Sequence, residues 1–153
     1  MLFRSLEGGG DVVFQLGPAK YGARTTTGDL DWDALARIAN LPQVRAIEVK
    51  AGQGAKPGKG GILPGAKVTA EIAGIRGIPA GKPSLQPNRF AEFDDVPSMI
   101  AFVERIKAAV PVPVGLKLVI GDESLLDDLA RERAATGRGP DYLSLDGSEG
   151  GTG

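Results

Sequence analysis

One lysine stands alone among apolar residues in the run GLKLVIG, residues 115–121. An ammonium group in such a strand is costly unless it meets a partner or water. Near the C-terminal end of a barrel strand, Lys117 would point into the mouth where active sites form. At a sheet edge it would instead reach water along its own methylenes. Glu48 and Lys50 share one side of a second candidate strand, because side chains alternate; they either pair inward or face solvent. The loop 51–61, AGQGAKPGKGG, sets Lys56 and Lys59 among glycines. It departs from the Walker pattern, with Gln53 and Gly60 where Gly and Ser or Thr are required, and from G-x-G-x-x-G, with Pro57 in the sixth place. Its density of Gly with two Lys still suits close backbone approach to an anionic ligand. Arg76 follows an apolar stripe and is either a helix C-terminal cation or a bidentate carboxylate clamp. Asp146 leads into GSEGGTG, a turn whose backbone can approach a planar cofactor closely.

What is missing narrows the chemistry further. The 153 residues contain no Cys and no His. That excludes a disulfide, a thiolate nucleophile, a Cys or His metal site and a Ser-His-Asp triad within this chain. Proton transfer is left to Lys, Asp, Glu, Tyr or a cofactor. Eighteen basic residues face 19 acidic ones, a net charge of −1, which argues against an electrostatic nucleic-acid binder. No apolar run is long enough to span a bilayer and no signal-peptide core follows Met1, so the expectation is a soluble cytoplasmic protein.

These residues need a scaffold, and the pattern supplies one. Strands are predicted at 11–16, 44–50, 112–120 and 141–146. Helices are predicted after Asp31, along Val68, Ile72 and Ile75, after Asp95 along Met99, Phe102, Val103, Ile106 and Val110, and from Asp122 along Leu125, Leu126 and Leu129. Gly (23) and Pro (11) are abundant, and 51–65 and 77–93 read as long connections. Alternation of strand and helix predicts α/β class with a parallel sheet. The apolar run Val114–Ile120 fits a strand covered on both faces. Four strands amount to about half of a (β/α)8 barrel, which takes roughly 250 residues. Residues 1–153 are therefore expected to form one domain, a central piece of a TIM barrel that is incomplete at both ends.

Several stretches carry a resemblance. VKAGQGAKPGKGGILPGAKVTAEIAGIRG, residues 49–77, together with LKLVIG and LDGSEGGTG, resembles the FMN-binding synthase domain of glutamate synthases and their single-domain relatives. DVVFQLG matches an earlier strand of that family. The resemblance runs from about residue 9 to 153.

It implies a (β/α)8 barrel holding FMN at the C-terminal ends of its strands. There 2-iminoglutarate, formed from 2-oxoglutarate and ammonia, is reduced by flavin hydride to L-glutamate. By the resemblance Lys56 and Arg76 are catalytic-site ligands of the dicarboxylate. Lys117 matches a strand lysine near flavin N1 and O2, Gln53 a flavin or substrate hydrogen-bond partner, and Asp146, Gly150, Gly151 and Thr152 part of the flavin-facing wall. Ile62 stands where the large synthases carry a Gln. Gln86-Pro87-Asn88-Arg89-Phe90 stands where the family has a Ser-Pro-Asn-Arg-His-like segment. The family's Gly-Glu-Gly-Gly motif has no convincing counterpart, since Glu7-Gly8-Gly9 reads as a later, unrelated stretch. The implied partners are the small dicarboxylate, an electron donor and an amidotransferase subunit in trans; nucleic acid and membrane are not among them. Any iron-sulfur cluster belongs to a longer parent protein, because this chain holds no ligands for one. The alternatives are a non-catalytic remnant, a dicarboxylate-binding module, or a related N-methylglutamate-type synthase subunit.

Overall fold

The computed structural model describes residues 6–52, 61–119, 121 and 124–147. In chain order the elements are β1 (Val12–Leu16), α1 (Trp32–Ala39), β2 (Val44–Lys50), β3 (Ile62–Leu63), α2 (Ala70–Arg76), β4 (Ser84–Leu85), α3 (Val96–Ala109), β5 (Val114–Val119), α4 (Ser124–Thr136) and β6 (Tyr142–Asp146). Strands β1, β2, β5 and β6 form one sheet in that order, and every pairing is parallel. The expected α/β class and parallel sheet are thus present. The four strands with their helices have the arrangement of part of a (β/α)8 barrel, and the sheet is not closed. No helix among the described residues is long and apolar enough to cross a membrane.

The helix starts follow the predicted caps. The Asp31 carboxylate accepts the Ala34 N–H at 2.9 Å. Asp95 accepts the Ser98 N–H at 2.8 Å while Ser98 Oγ accepts the Asp95 N–H at 3.2 Å, a reciprocal capping box. Thr69 caps α2, which ends at Gly77 in the left-handed region (φ +63°), a conformation that favours glycine. The predicted start of α4 at Asp122 lies outside the described residues.

One face of the sheet is apolar and covered. Leu16, Ile47, Val49, Val114, Leu116 and Leu118 are buried in the core with Leu35, Phe102, Val103 and Ile106. On the same side of β6, Leu143 and Leu145 are about half exposed. An aromatic cluster anchors α3: Phe90 lies 5.1 Å from Phe93 and 5.5 Å from Phe102, centroid to centroid. Phe90 is therefore a core residue.

The two long connections are not structureless, as the pattern implied. Ile62–Leu63 and Ser84–Leu85 pair as a short antiparallel ribbon, extended by Gln86 N–H to Gly61 O at 2.8 Å. A 3-10 turn at Gly65–Lys67 follows, and the Gly81 N–H donates to Val68 O at 3.0 Å. A two-residue ribbon between segments 20 residues apart leaves no periodic trace.

Asp141 ties the bottom of the sheet together. Its carboxylate accepts the Val114 N–H at 2.8 Å and the Lys107 ammonium at 2.9 Å. The Val114 N–H and then Lys107 hold its pKa below the ordinary 3.8. A depressed carboxyl contributes stability above the unfolded value and loses it as pH falls through the folded one. Denaturant titrations at pH 7 and pH 3 should therefore show Asp141→Asn losing less on acidification than the parent. Solvent screening limits the difference to about 1 kcal/mol. Equal acid losses would contradict the assignment.

Candidate active site

The uncovered face of the sheet is polar. Parallel register puts Gln15, Glu48, Gly115 and Tyr142 in one row, then Lys50, Lys117 and Ser144 in the next, with Val119 and Asp146 beyond. Alternation sends these side chains away from the helices. All four strands run the same way, so the last rows lie at the C-terminal ends, where α/β folds build their sites.

The geometry is specific. Lys117 Nζ stands 3.1 Å from Asp146 Oδ2. Lys50 is its register partner on β2. Lys50 makes no ion pair among the described residues, and burial, then the charge of Lys117, lowers its pKa from 10.5 against the opposing pull of Asp146 and Glu48. Glu48 is committed elsewhere: it accepts Gln15 Nε2 at 2.7 Å and the Ser144 hydroxyl at 2.5 Å. So Glu48 and Lys50 both take the polar face, without pairing to each other. The Tyr142 ring lies over Gly115, where a Cβ would enter it. The Tyr142 hydroxyl is buried without a hydrogen-bond partner among the described residues; burial, then Glu48, raises its pKa. Gly52 leaves β2 against β5, since a Cβ there would stand 3.0 Å from Val119 Cγ2.

A second cluster forms on the loops. Arg76 lies over the Tyr21 ring, 4.9 Å from its centroid, and Arg24 lies 5.9 Å from the same centroid. The Tyr21 hydroxyl is 2.6 Å from Ser84 Oγ. Beside it, Lys20 is buried at φ +54° and pairs with Glu92 at 2.7 Å.

Of the residues singled out from the sequence, Lys117 and Asp146 are brought into direct contact. Arg76 belongs to the loop cluster and pairs with neither of them among the described residues. Gln53, Lys56, Gly150, Gly151 and Thr152 lie outside the described residues. Sequence reasoning missed Ser144, Tyr142, Tyr21 and the Lys20–Glu92 pair. Parity along Tyr142–Asp146 could have placed the first two on the Asp146 face. An apolar-edged groove between α3 and α4, lined by Phe93, Val96 and Leu125, lies among the helices and includes none of the polar-face residues.

Comparison with known proteins gives this polar face a context. Residues 2–153 match a family described as a conserved region in glutamate synthase. The chain is 42% identical over 148 residues to the glutamate synthase large subunit-like protein YerD of Bacillus subtilis, covering 97% of this chain and 28% of that protein. It is 40% identical over 111 residues to an archaeal-type glutamate synthase [NADPH] of Thermotoga maritima, covering 71% of this chain and 21% of the relative. It is 30% identical over 138 residues to ferredoxin-dependent glutamate synthase 1 of Arabidopsis thaliana, covering 82% of this chain and 8% of the relative. The chain thus spans about a quarter or less of these relatives, and over nearly all of its own length it belongs to the glutamate synthase conserved-region family.

Proposed function

We propose that this chain supplies part of the barrel of an FMN-dependent, glutamate synthase-type oxidoreductase that converts 2-oxoglutarate and ammonia, through 2-iminoglutarate, to L-glutamate. The observation that carries this reading is the row of Lys50 and Lys117 with Asp146 at the C-terminal ends of β2, β5 and β6. Two ammonium groups side by side on a polar sheet face suit the negative charge that develops on a reduced flavin's pyrimidine end. The Lys50–Lys117 row fits FMN; Lys117 and Asp146 would hold it, together with Gln53, Gly150, Gly151 and Thr152, whose part rests on the resemblance alone. When bound, the flavin supplies the hydride.

The chain's own residues bind and orient the substrate. Lys56 and Arg76 would bind the two carboxylates, Arg76 as a bidentate clamp. Lys50, whose ammonium is disfavoured by burial and by Lys117, gives up a proton more readily than an exposed lysine. The electron donor and any amidotransferase are separate partners, in line with the NADPH and ferredoxin in the names of the relatives. The absence of Cys suits a reducing compartment, and we place the protein in the cytoplasm. Ile62, apolar and 71% exposed, favours one second reading: an N-methylglutamate-type reaction, in which the amine carries a methyl group.

Product analysis separates these readings. The full-length protein, reduced and given 2-oxoglutarate with ammonia or with methylamine, should form L-glutamate faster than its N-methyl derivative. Arg76→Gln should raise the KM for 2-oxoglutarate by about 10- to 100-fold, the worth of a lost charge-assisted hydrogen-bond pair. Preferential N-methylglutamate formation would establish the second reading, and no product from either amine would remove both.

A further inference from the structure

Three segments far apart in sequence converge on Tyr21. It sits in the loop between β1 and α1. Its ring lies beneath the guanidinium of Arg76, the last residue of α2, at 4.9 Å. Its hydroxyl is 2.6 Å from the hydroxyl of Ser84, which is buried in β4. Ser84 is in turn held by pairing with Leu63 of β3. The ring is thus fixed at its hydroxyl end, and its face is turned to a cation. Arg24 comes to 5.9 Å of the same ring, and its methylenes lie where a side chain at Gly77 would extend, 3.6 Å from a Cβ built there. Arg76 makes no ion pair among the described residues. A guanidinium over an aromatic face keeps its in-plane N–H groups available while losing rotational freedom. Such a group is pre-organised for a carboxylate approaching in its plane.

We propose that Tyr21, anchored through Ser84, is a positioning residue that fixes the Arg76 guanidinium for bidentate binding of a substrate carboxylate. This rests on the reading of Arg76 as a dicarboxylate ligand. Tyr21 itself needs no contact with the substrate. Its contribution is to limit where Arg76 can be, so its loss should weaken binding and leave the bound complex reacting at nearly the same rate.

The test is steady-state kinetics and 2-oxoglutarate binding with the full-length protein. Tyr21→Leu removes the aromatic face and should raise the KM for 2-oxoglutarate about 10-fold, with kcat changed less than about 3-fold. Tyr21→Phe and Ser84→Ala keep the face but lose the anchor, and should each raise KM by a smaller factor, about 2- to 3-fold. Fluorination of the ring in the Tyr21→Phe protein keeps its shape but removes the negative face, and should raise KM stepwise with each fluorine. That series serves if Tyr21→Leu does not fold. In an Arg76→Gln background, Tyr21→Leu should have no further effect on binding. Additive losses in that background, or a flat response to fluorination, would overturn the proposal while leaving Arg76 as a ligand. No loss of binding in Arg76→Gln itself would instead remove the reading beneath it.

Discussion

Replacing Lys117 with methionine should slow glutamate formation by the full-length protein about 100-fold, the usual cost of removing one pre-organised charge or donor from a site. The substitution keeps the apolar stem within β5 and removes the ammonium 3.1 Å from Asp146. The fold should tolerate the change, because Lys50 remains in the adjacent register position and already feels Asp146. Two signatures distinguish this loss from general damage. The reduction potential of the bound flavin should become more negative, since its reduced, anionic form loses a cation. The Lys50 amine should also titrate closer to its ordinary 10.5, because one of the causes lowering it is Lys117; the pH dependence of its acylation would read this. Unchanged turnover in Lys117→Met would contradict the role of the cation row.

The largest loss of stability is expected at Lys20. Its side chain is almost fully buried, its ammonium lies 2.7 Å from Glu92, and Glu92 has a second oxygen that is buried without a hydrogen bond among the described residues. Lys20→Met leaves that carboxylate with no cation among the described residues. Breaking a buried pair from one side costs about 3–5 kcal/mol when burial is complete; with Glu92 still 21% exposed, about 3 kcal/mol is expected. Because removing both charges avoids the orphaned carboxylate, Lys20→Met combined with Glu92→Gln should recover most of it. Chemical denaturation of the two variants measures this. The pair also fixes the loop that carries Tyr21, so Lys20→Met should raise the KM for 2-oxoglutarate in whatever protein remains folded. A double variant no better than the single one would show that the charge pairing is not what matters.

These expectations differ in how far they could be read from the chain. The four sheet strands and their helices were legible, because a 3.6-residue stripe such as Met99, Phe102, Val103 and Ile106 and an apolar run such as Val114–Ile120 are local signals. Lys117 was legible as an exception within such a run. Its contact with Asp146 was not, because register between strands 29 residues apart is set by how the intervening helix packs. Alternation put Glu48 and Lys50 on one side and left open which side; only the covered face decides that. The Lys20–Glu92 pair had no local signal, since a lysine in a Gly- and Pro-rich turn ordinarily faces water. Tyr21 was hidden for a related reason: its partner Ser84 comes from a connection that pattern analysis leaves without structure, and Arg76 from the end of α2, far away in sequence. For Arg76 the spacing leaves a helix-end cation and a carboxylate clamp both open, and only the resemblance chooses between them; Phe90 serves the core.

The most direct measurement is the visible spectrum of the purified full-length protein through one reductive and one oxidative half-reaction. The account predicts flavin absorbance that bleaches on anaerobic reduction and returns on addition of 2-oxoglutarate with ammonia, in step with the L-glutamate formed. A protein that is colourless and takes up no added FMN, or whose reduced flavin ignores 2-oxoglutarate and ammonia, would contradict it.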